Sequence, residues 1–220
     1  MKKFELTSET KINVFGKKLF RIKALISFGD VKAGETGGWV EKEGNINQSG
    51  NAWVSGNARV SGNARVSGNA MVSGDAMVSG DAMVSGNARV SGNARVSGNA
   101  MVSGNARVSG NARVSGDAWV SGNARVSGDA MVSGDAWVSG DAWVYGNADY
   151  TTIHGFGTQF RTTTFFRCKD KAVRVLCGCF LGTIPEFREQ VKKTRSGKIA
   201  EEYLMIADLM KKHFEVKSNE

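Results

Sequence analysis

Few side chains in this sequence have the chemistry of catalytic bases or metal ligands. The 220 residues include two histidines, His154 and His213, and three cysteines, Cys168, Cys177 and Cys179. A histidine can act as a general base only where a pocket holds the substrate beside it. His154 is the candidate base, although its position after a long repeat favours a linker histidine packed beneath a cap. We expect His213 to be structural.

The three cysteines, with one histidine, have the composition of a Cys₃His zinc site. However, Val173, Val175, Cys177 and Cys179 alternate along a predicted strand and share one face, which is typical of small core residues. An odd, clustered set of cysteines also argues against a disulfide framework and for a reducing compartment. We therefore predict buried thiols, including Cys168, in a cytoplasmic protein without a cofactor.

A six-residue repeat supplies most of the elements that would position these side chains. From Gly50 to Tyr145 the sequence reads Gly-(Asn/Asp)-Ala-x-Val-Ser sixteen times without insertion, with Tyr145 in the last place. Looser hexads flank it at 44–49 and 146–151. Ala and Val would point to one side of a short strand, and x and Ser to the other. Gly and Asn/Asp tolerate the positive φ of a tight corner, so the pattern predicts stacked turns.

The spacing of Val54 and Ala58, repeated along the chain, resembles the hexapeptide pattern of left-handed parallel β-helices. That resemblance implies three hexads per triangular coil, about six coils and, at a strand spacing of ~4.8 Å, a prism roughly 29 Å long. Left-handedness is implied by the resemblance alone, since general topology rules favour right-handed crossovers. Stacked corner amides should form hydrogen-bonded ladders, and open ends should need caps.

The sequence divides into three predicted domains. Residues 1–43 form an N-terminal β cap with a strand at 19–26, and residues 44–151 form the parallel β-helix. Residues 152–220 form a C-terminal module that closes the helix or stands beside it. In this module we predict a hairpin of residues 162–168 and 172–180, a helix opened by the Thr183–Glu186 capping box, and a second helix at about 198–214. The predicted fold class is an all-β solenoid with a small α+β module.

Two segments outside the regular hexads also resemble a known family. FGDVKAGETGGWVEKEGNINQSGNAWV, residues 28–54, resembles the YdcK-like hexapeptide-repeat proteins of bacteria and prophages. CGCFLGTIPEFREQVKKT, residues 177–194, is similar to a C-terminal module that follows such repeats in phage-borne relatives. The resemblance implies the fold, the cap and an association with phages. It implies no functional residues, because the family has no settled activity.

Enzymes on this fold set one alternative. The resemblance to hexapeptide acyltransferases implies a histidine base at a cleft between the subunits of a trimer. No loop interrupts the hexads between Gly50 and Tyr145, so His154 at the end of the repeat would have to serve. A γ-class carbonic anhydrase would need three zinc-binding histidines, and the sequence has two. We therefore favour a protein that is not an enzyme.

The x positions predict the outer surface. At eighteen residues per coil they fall into three vertical columns. The first column is Trp53, Met71, Arg89, Arg107, Arg125 and Trp143. The second column is Arg59, Met77, Arg95, Arg113, Met131 and Asp149. The third column is Arg65, Met83, Met101, Trp119 and Trp137.

Two of these patterns suggest binding surfaces. Like charges about 5 Å apart repel, so stacked arginines predict an anionic partner, either an acidic protein surface or a nucleic-acid complex. The arginines in question are Arg89, Arg107 and Arg125, with Arg95 and Arg113 on the next face. An exposed apolar line is typical of an interface, and it comprises Met83, Met101, Trp119 and Trp137. Duplication of a few hexad types would produce the same columns without any function, and this alternative stays open.

The charge and hydropathy of the chain limit the function only broadly. The net charge of +8 is spread out rather than gathered in a basic arm, and no stretch has the apolar length of a membrane span. We predict a non-enzymatic macromolecule-binding or scaffold protein, associated with a phage or prophage, that antagonises a host nucleic-acid-handling defence factor. The alternatives are an acyltransferase acting at a trimer cleft and a self-associating structural element. The latter would form homo-oligomers through a β-helix face or the C-terminal module.

Overall fold

A computed structural model describes residues 2–215 of the chain. It begins with strands β1 (Phe4–Ile12), β2 (Lys18–Ala24) and β3 (Thr36–Val40) and a short 3-10 helix at Glu43–Asn45. It ends with a 3-10 helix at Asn147–Asp149, strands β20 (Tyr150–Phe156), β21 (Arg161–Arg167), β22 (Val173–Cys177) and β23 (Phe180–Thr183), and helices α1 (Ile184–Thr194) and α2 (Gly197–Glu215).

Between these ends, each x–Val pair of the repeat forms a two-residue strand. Strands β4 to β19 are Trp53–Val54, Arg59–Val60, Arg65–Val66, Met71–Val72, Met77–Val78, Met83–Val84, Arg89–Val90, Arg95–Val96, Met101–Val102, Arg107–Val108, Arg113–Val114, Trp119–Val120, Arg125–Val126, Met131–Val132, Trp137–Val138 and Trp143–Val144. The strands are short because Gly and Asn/Asp turn the chain at every corner.

The short strands stack into three parallel sheets, one for each column of x residues. The first-column strands form a sheet in the order β19-β16-β13-β10-β7-β4, and the third-column strands one in the order β18-β15-β12-β9-β6. The second-column strands continue a sheet that starts with β1, β2 and β3. Arg89 pairs with Arg107, and Arg107 with Arg125, so one coil takes eighteen residues. The predicted solenoid of about six turns is confirmed.

The interior of the solenoid consists of the Ala and Val side chains of every hexad. Val108 and Ala106, for example, are fully buried, as are their equivalents in neighbouring coils. Burial of one such valine is worth about 1.5–3 kcal/mol. Gly104 shows why the corner needs glycine: its φ is +66°, and an added Cβ would lie 3.0 Å from the backbone nitrogen of Gly122 in the next coil. The coils therefore stack closely only with glycine at this place.

The corner amides form the expected ladders. In the first column each Nδ2 donates to the Oδ1 of the residue one coil further on, at 3.1–3.2 Å, through Asn51, Asn69, Asn87, Asn105, Asn123 and Asp141. A carboxylate accepts hydrogen bonds but cannot donate one, so an aspartate ends a ladder. Asp81 and Asp117 interrupt the third-column ladder in the same way, accepting from Asn63 at 3.0 Å and from Asn99 at 2.8 Å.

The two ends of the solenoid expose different backbone groups. The N–H of Arg89 donates to the carbonyl of Ala106, and that of Ser91 to the carbonyl of Val108, both in the following coil. Where this direction holds, the first coil is left with free carbonyls and the last coil with free N–H groups. The structure supplies side-chain donors at one end and acceptors at the other, and both caps therefore satisfy the backbone of the terminal coils.

At the N-terminal end, Lys3 and Asn45 provide the donors. Nζ of Lys3 lies 3.2 Å from the carbonyl oxygen of Gly50 and 2.9 Å from that of Ala52. Nδ2 of Asn45 donates to the equivalent carbonyls two hexads further on, those of Gly62 and Ala64, at 3.1 and 2.9 Å. Burial lowers the pKa of Lys3 to about 8, because the charged amine loses its water.

The N-terminal segment that contains β1–β3 packs against the outer surface of the first coil as well as against its open end. Phe4 and Phe28 pack edge-on against Trp53, with ring centroids 6.3 and 5.4 Å away, and leave Trp53 only 2% exposed. Trp39 and Val40 of β3 pair in parallel with Arg59 and Val60, so coil stacking begins within the segment assigned to the N-terminal cap. The predicted strand at 19–26 is present as β2.

At the C-terminal end, polar side chains accept from the free N–H groups. The N–H of Trp137 donates to Oγ1 of Thr164 at 3.1 Å, and that of Met131 to Oδ1 of Asn147 at 2.7 Å. Oδ2 of Asp149 accepts from the N–H groups of Tyr145 and Gly146 at 3.0 and 2.9 Å. The prediction that Asp149 continues the second column is wrong. Its hexad has Tyr150 where a small valine is needed, so the chain leaves the stack.

The C-terminal module closes the solenoid. Its antiparallel sheet has the order β20-β21-β22-β23. One face buries Phe166, Cys168 and Leu176 against the solenoid core. The other face packs Phe165 and Val175 against α1 and α2. The predicted hairpin is present as β21 and β22, and both predicted helices are present. Among the described residues, neither helix combines the length and apolar character that crossing a bilayer requires.

The capping box at the start of α1 is confirmed. Oγ1 of Thr183 accepts from the N–H of Glu186 at 3.3 Å, and Oε2 of Glu186 accepts from the N–H of Thr183 at 2.7 Å. These bonds satisfy amide groups that a helix start leaves free, and they hold the pKa of Glu186 below its ordinary value. The first helix is therefore fixed at the edge of the sheet from which it departs.

Candidate functional site

The two histidines lie apart on the surface of the C-terminal module. His154 lies on β20, the edge strand of the sheet, where its side chain is exposed and Nδ1 is 3.0 Å from Oγ1 of Thr162. The expectation that His154 packs beneath a cap is wrong, because it lies on the solvent side of this strand. His213 is exposed in the last turn of α2 and contacts the ring of Phe214 edge-on.

The structure does not bring the three thiols together. Cys168 is buried against the solenoid core, and burial raises its pKa to about 11. Cys177 lies on the helix side of the sheet and accepts a hydrogen bond from Oγ1 of Thr163. The predicted core position of Cys179 is wrong, because β22 ends at Cys177 and Cys179 is exposed in the following turn. Within residues 2–215, no three metal-ligating side chains converge.

The first column presents three arginines in register. Arg89, Arg107 and Arg125 lie on successive strands of one parallel sheet, and all three side chains are exposed. The pairing of the strands holds the Cα atoms of successive arginines one strand spacing apart, about 4.8 Å. Within the described part of the chain, none of them forms an ion pair. The column therefore presents three positive side chains without ion-pair partners on a backbone that the sheet fixes.

The ring of Trp143 continues this line of arginines at its C-terminal end. Trp143 pairs with Arg125 in the same sheet, and Cζ of Arg125 lies 5.8 Å from the ring centroid. This distance is within the range of a cation–π contact. The ring is nevertheless 40% exposed. Trp143 thus offers an open apolar surface beside the arginines.

Two adjoining clefts carry the positive surface onto the C-terminal module. A cleft of about 290 Å³ is lined by Asn105, Arg107, Asn123, Arg125, Asp141, Ala142, Trp143 and Lys169. A second, of about 690 Å³, is lined by Trp143, Tyr145, Asp149, Arg167, Cys168, Lys169 and Lys171. Trp143 and Lys169 belong to both. We call the surface formed by Arg89, Arg107, Arg125, Trp143, Lys169 and Lys171 the basic groove.

Lys169 and Lys171 are the residues of this groove that the sequence alone did not reveal. They flank Asp170 in the turn between β21 and β22, which is exposed to solvent. An antiparallel bridge between Ala142 and Cys168, and a hydrogen bond from the N–H of Lys169 to the carbonyl of Asp141, bring this turn beside the last coil. A basic turn after the repeat was visible in the sequence, but its docking position was not.

The other two predicted binding arginines lie on another face, and a further arginine near the groove is engaged within the fold. Arg95 and Arg113 pair on the second-column sheet, between Met77 and Met131, and are exposed. Arg167 lies near the groove, but its guanidinium donates to the carbonyl of Phe214 at 2.6 Å and lies 3.4 Å from a carboxylate oxygen of Asp149. Arg167 is therefore occupied within the fold.

The third column places two indoles in a stack. The rings of Trp119 and Trp137 are nearly parallel, with centroids 4.7 Å apart. Each indole N–H donates to a serine Oγ of the preceding coil, Ser103 and Ser121 respectively. Trp119 is 36% and Met83 is 39% exposed, and Met101 lies between them. This face is apolar with acidic corners, in contrast to the first column.

The fold and these faces define a β-solenoid protein with side-chain caps at both ends. Eight segments between residues 52 and 140, most of them overlapping, match the family model of the YdcK β-solenoid repeat. The match confirms the resemblance of the hexads to YdcK-like repeat proteins, and the observed solenoid agrees with it. A comparison of the chain with curated proteins found no match.

Proposed function

We propose that this protein is a non-enzymatic scaffold that binds an anionic macromolecule through its first column. The observation that carries the proposal is the line formed by Arg89, Arg107 and Arg125. These side chains are exposed and in register, and they have no ion-pair partner among residues 2–215. Unit charges 4.8 Å apart repel by roughly 1 kcal/mol even in water. An anionic partner relieves that repulsion.

The rigidity of the sheet supports the same proposal. Each arginine lies on a strand that is paired with a neighbouring strand on both sides. Binding therefore requires ordering of the side chains but not of the backbone, which lowers its entropic cost. The extended prism also suits a scaffold, because repeat proteins commonly bind partners on such long surfaces.

In its full form the proposal includes the setting of the protein. Residues 28–54 and 177–194 resemble proteins of prophages and phages, which supports a phage or prophage protein. The uncompensated arginines support a partner that is acidic or carries nucleic acid. We accordingly propose that the protein acts in the cytoplasm and antagonises a host nucleic-acid-handling defence factor, alone or as a homo-oligomer.

Two observations weigh on the alternatives. An acyltransferase would need His154 as its base, and His154 is exposed on an edge strand with Thr162 as its partner. Self-association end to end would need free strand edges, and side chains such as Lys3 and Thr164 occupy backbone groups at the two ends. Side-to-side association through the stacked Trp119 and Trp137 stays compatible with the proposal.

The test is retention on immobilised heparin, a defined polyanion. The variant Arg89→Glu, Arg107→Glu, Arg125→Glu should elute at a much lower salt concentration than the unchanged protein, because its first column repels the polyanion. The matched control is Arg65→Glu, Arg95→Glu, Arg113→Glu, which makes the same change in net charge at exposed x positions outside the first column. The control should lose clearly less retention. Equal losses would mean that retention follows net charge, and the proposal would be wrong.

A further inference from the structure

We infer that the basic groove binds a single strand of nucleic acid, with a base stacked on Trp143 and phosphates paired with the cations on either side of it. This inference rests on the proposed function and makes it more specific. It adds Trp143, Lys169 and Lys171 to the binding surface. It also narrows the partner from any anionic macromolecule to single-stranded nucleic acid.

The order of side chains along the groove carries the inference. Arg89, Arg107 and Arg125 lie on one side of Trp143, and Lys169 lines both clefts that the ring adjoins. Single-strand binding proteins combine a positive track for the backbone with aromatic rings on which bases stack. An acidic protein surface would satisfy the cations, but a carboxylate has no aromatic face to stack on the exposed indole. The ring favours nucleic acid.

The strand should be single because of where the ring lies. In a duplex the bases are stacked on one another, so none is free to cover an indole. Trp143 also lies on a two-residue strand, β19, at the end of the first-column sheet. Three strand spacings separate Arg89 from Trp143, about 14 Å. Together with the lysines, the groove is long enough for roughly four nucleotides, the lower end of the usual range.

The carboxylates at the groove are already engaged. Asp141 accepts from Nδ2 of Asn123 at 3.2 Å, and Asp149 lies 3.4 Å from Nε of Arg167 and caps two backbone N–H groups. Asp170 pairs with Arg174 at 2.9 Å. The cations left for phosphates are Arg89, Arg107, Arg125, Lys169 and Lys171.

The experiment measures the affinity of the whole chain for a labelled twelve-nucleotide single strand by fluorescence anisotropy at several salt concentrations. If five cations contact phosphates, the logarithm of the binding constant should fall with the logarithm of the salt concentration with a slope of about −3.5. Lys169→Gln, Lys171→Gln should reduce the magnitude of that slope by about 1.4. A duplex of the same length and a polyglutamate peptide should both bind at least about tenfold more weakly.

Variants of Trp143 separate stacking from charge. Trp143→Leu should lower the affinity about tenfold and leave the salt slope unchanged, because it removes a stacking surface and no charge. Trp143→Phe, which keeps an aromatic face, should recover most of the affinity. The matched control is Trp119→Leu, since Trp119 is comparably exposed but lies in the third column. It should bind as the unchanged protein does. Circular dichroism melting would verify the fold of each variant.

The outcomes distinguish this inference from the proposed function. If polyglutamate or the duplex binds as tightly as the single strand, or if Trp143→Leu binds normally, the single-strand inference is wrong. In that case a first-column charge reversal that still lowers heparin retention clearly more than its matched control leaves the proposed function intact. If the charge reversal also has no effect, both are wrong.

Discussion

The repeated coils and the two caps satisfy the same physical requirements by different means. In the middle of the solenoid, Val108 pairs with identical neighbours in the coils before and after it, and the N–H groups of Arg107 and Ser109 donate to carbonyls one coil away. At the ends there is no further coil, so unlike side chains must supply what is missing. Phe166 packs against the solenoid core, Thr164 accepts from the N–H of Trp137, and Lys3 donates to carbonyls of the first coil. The same contacts therefore recur in every coil of the interior, whereas each cap depends on particular side chains that occur once.

The largest expected effect tests the C-terminal cap. Phe166→Ala should lower the free energy of unfolding by about 3–5 kcal/mol, because a fully buried ring is lost where the solenoid core meets the module. Val108→Ala is the control within the repeat and should cost about 1–3 kcal/mol, since it removes less buried volume. Urea unfolding measures both. A larger loss for Val108→Ala would show that the cap is not the more critical region.

An intermediate effect tests the N-terminal cap through its pH dependence. The pKa of Lys3 is about 8 in the folded protein and 10.5 ordinarily, so between these values the unfolded chain binds more protons. The unfolding free energy therefore rises with pH in this window, on the order of 2 kcal/mol in all. The variant Lys3→Met has no amine at this position, so its unfolding free energy should lack this rise with pH. The difference between the two proteins in urea unfolding should shift in favour of the unchanged protein from pH 7 to pH 9.5. An unchanged difference would contradict the buried position of the amine.

The smallest expected effect concerns a single rung of a corner ladder. Asp117→Asn should raise the unfolding free energy by about 0.5–1 kcal/mol, because the new amide can donate to Asp135 and one of two neighbouring carboxylates is removed. The matched control is Asp141→Asn. Asp141 ends the first-column ladder, so no ladder residue in a following coil can accept a hydrogen bond from the new amide. Its effect on stability should be close to zero. Equal effects in thermal melting would mean that the ladders add nothing measurable.

The repeat could be predicted from the sequence because each hexad obeys the same local rule. Glycine at the corner, Ala and Val inside and x outside follow from single residues and their neighbours, and the eighteen-residue register then fixes the columns. The capping box before α1 is local in the same sense. Once the family resemblance had set the number of hexads per coil, no contact between distant parts of the chain had to be known.

The ends were harder because their contacts join distant parts of the chain. Trp53 reads as an outward residue, yet Phe4 covers it from almost fifty positions away. The exposure of Cys179 depended on the residue at which β22 ends, and that of His154 on which strand lies at the sheet edge. The basic groove depended on the docking of a turn beside the last coil. No short sequence pattern contains that information.

The eighteen-residue coil has a consequence for how such a chain can change its length. Insertion of a whole coil would lengthen the prism and return the C-terminal module to the same orientation about the solenoid axis. Insertion or loss of one hexad would turn the module by a third of a revolution and carry Lys169 to a different side of the prism. Length variants that keep the groove should therefore differ by multiples of three hexads, so the prism can grow only in steps of about 4.8 Å.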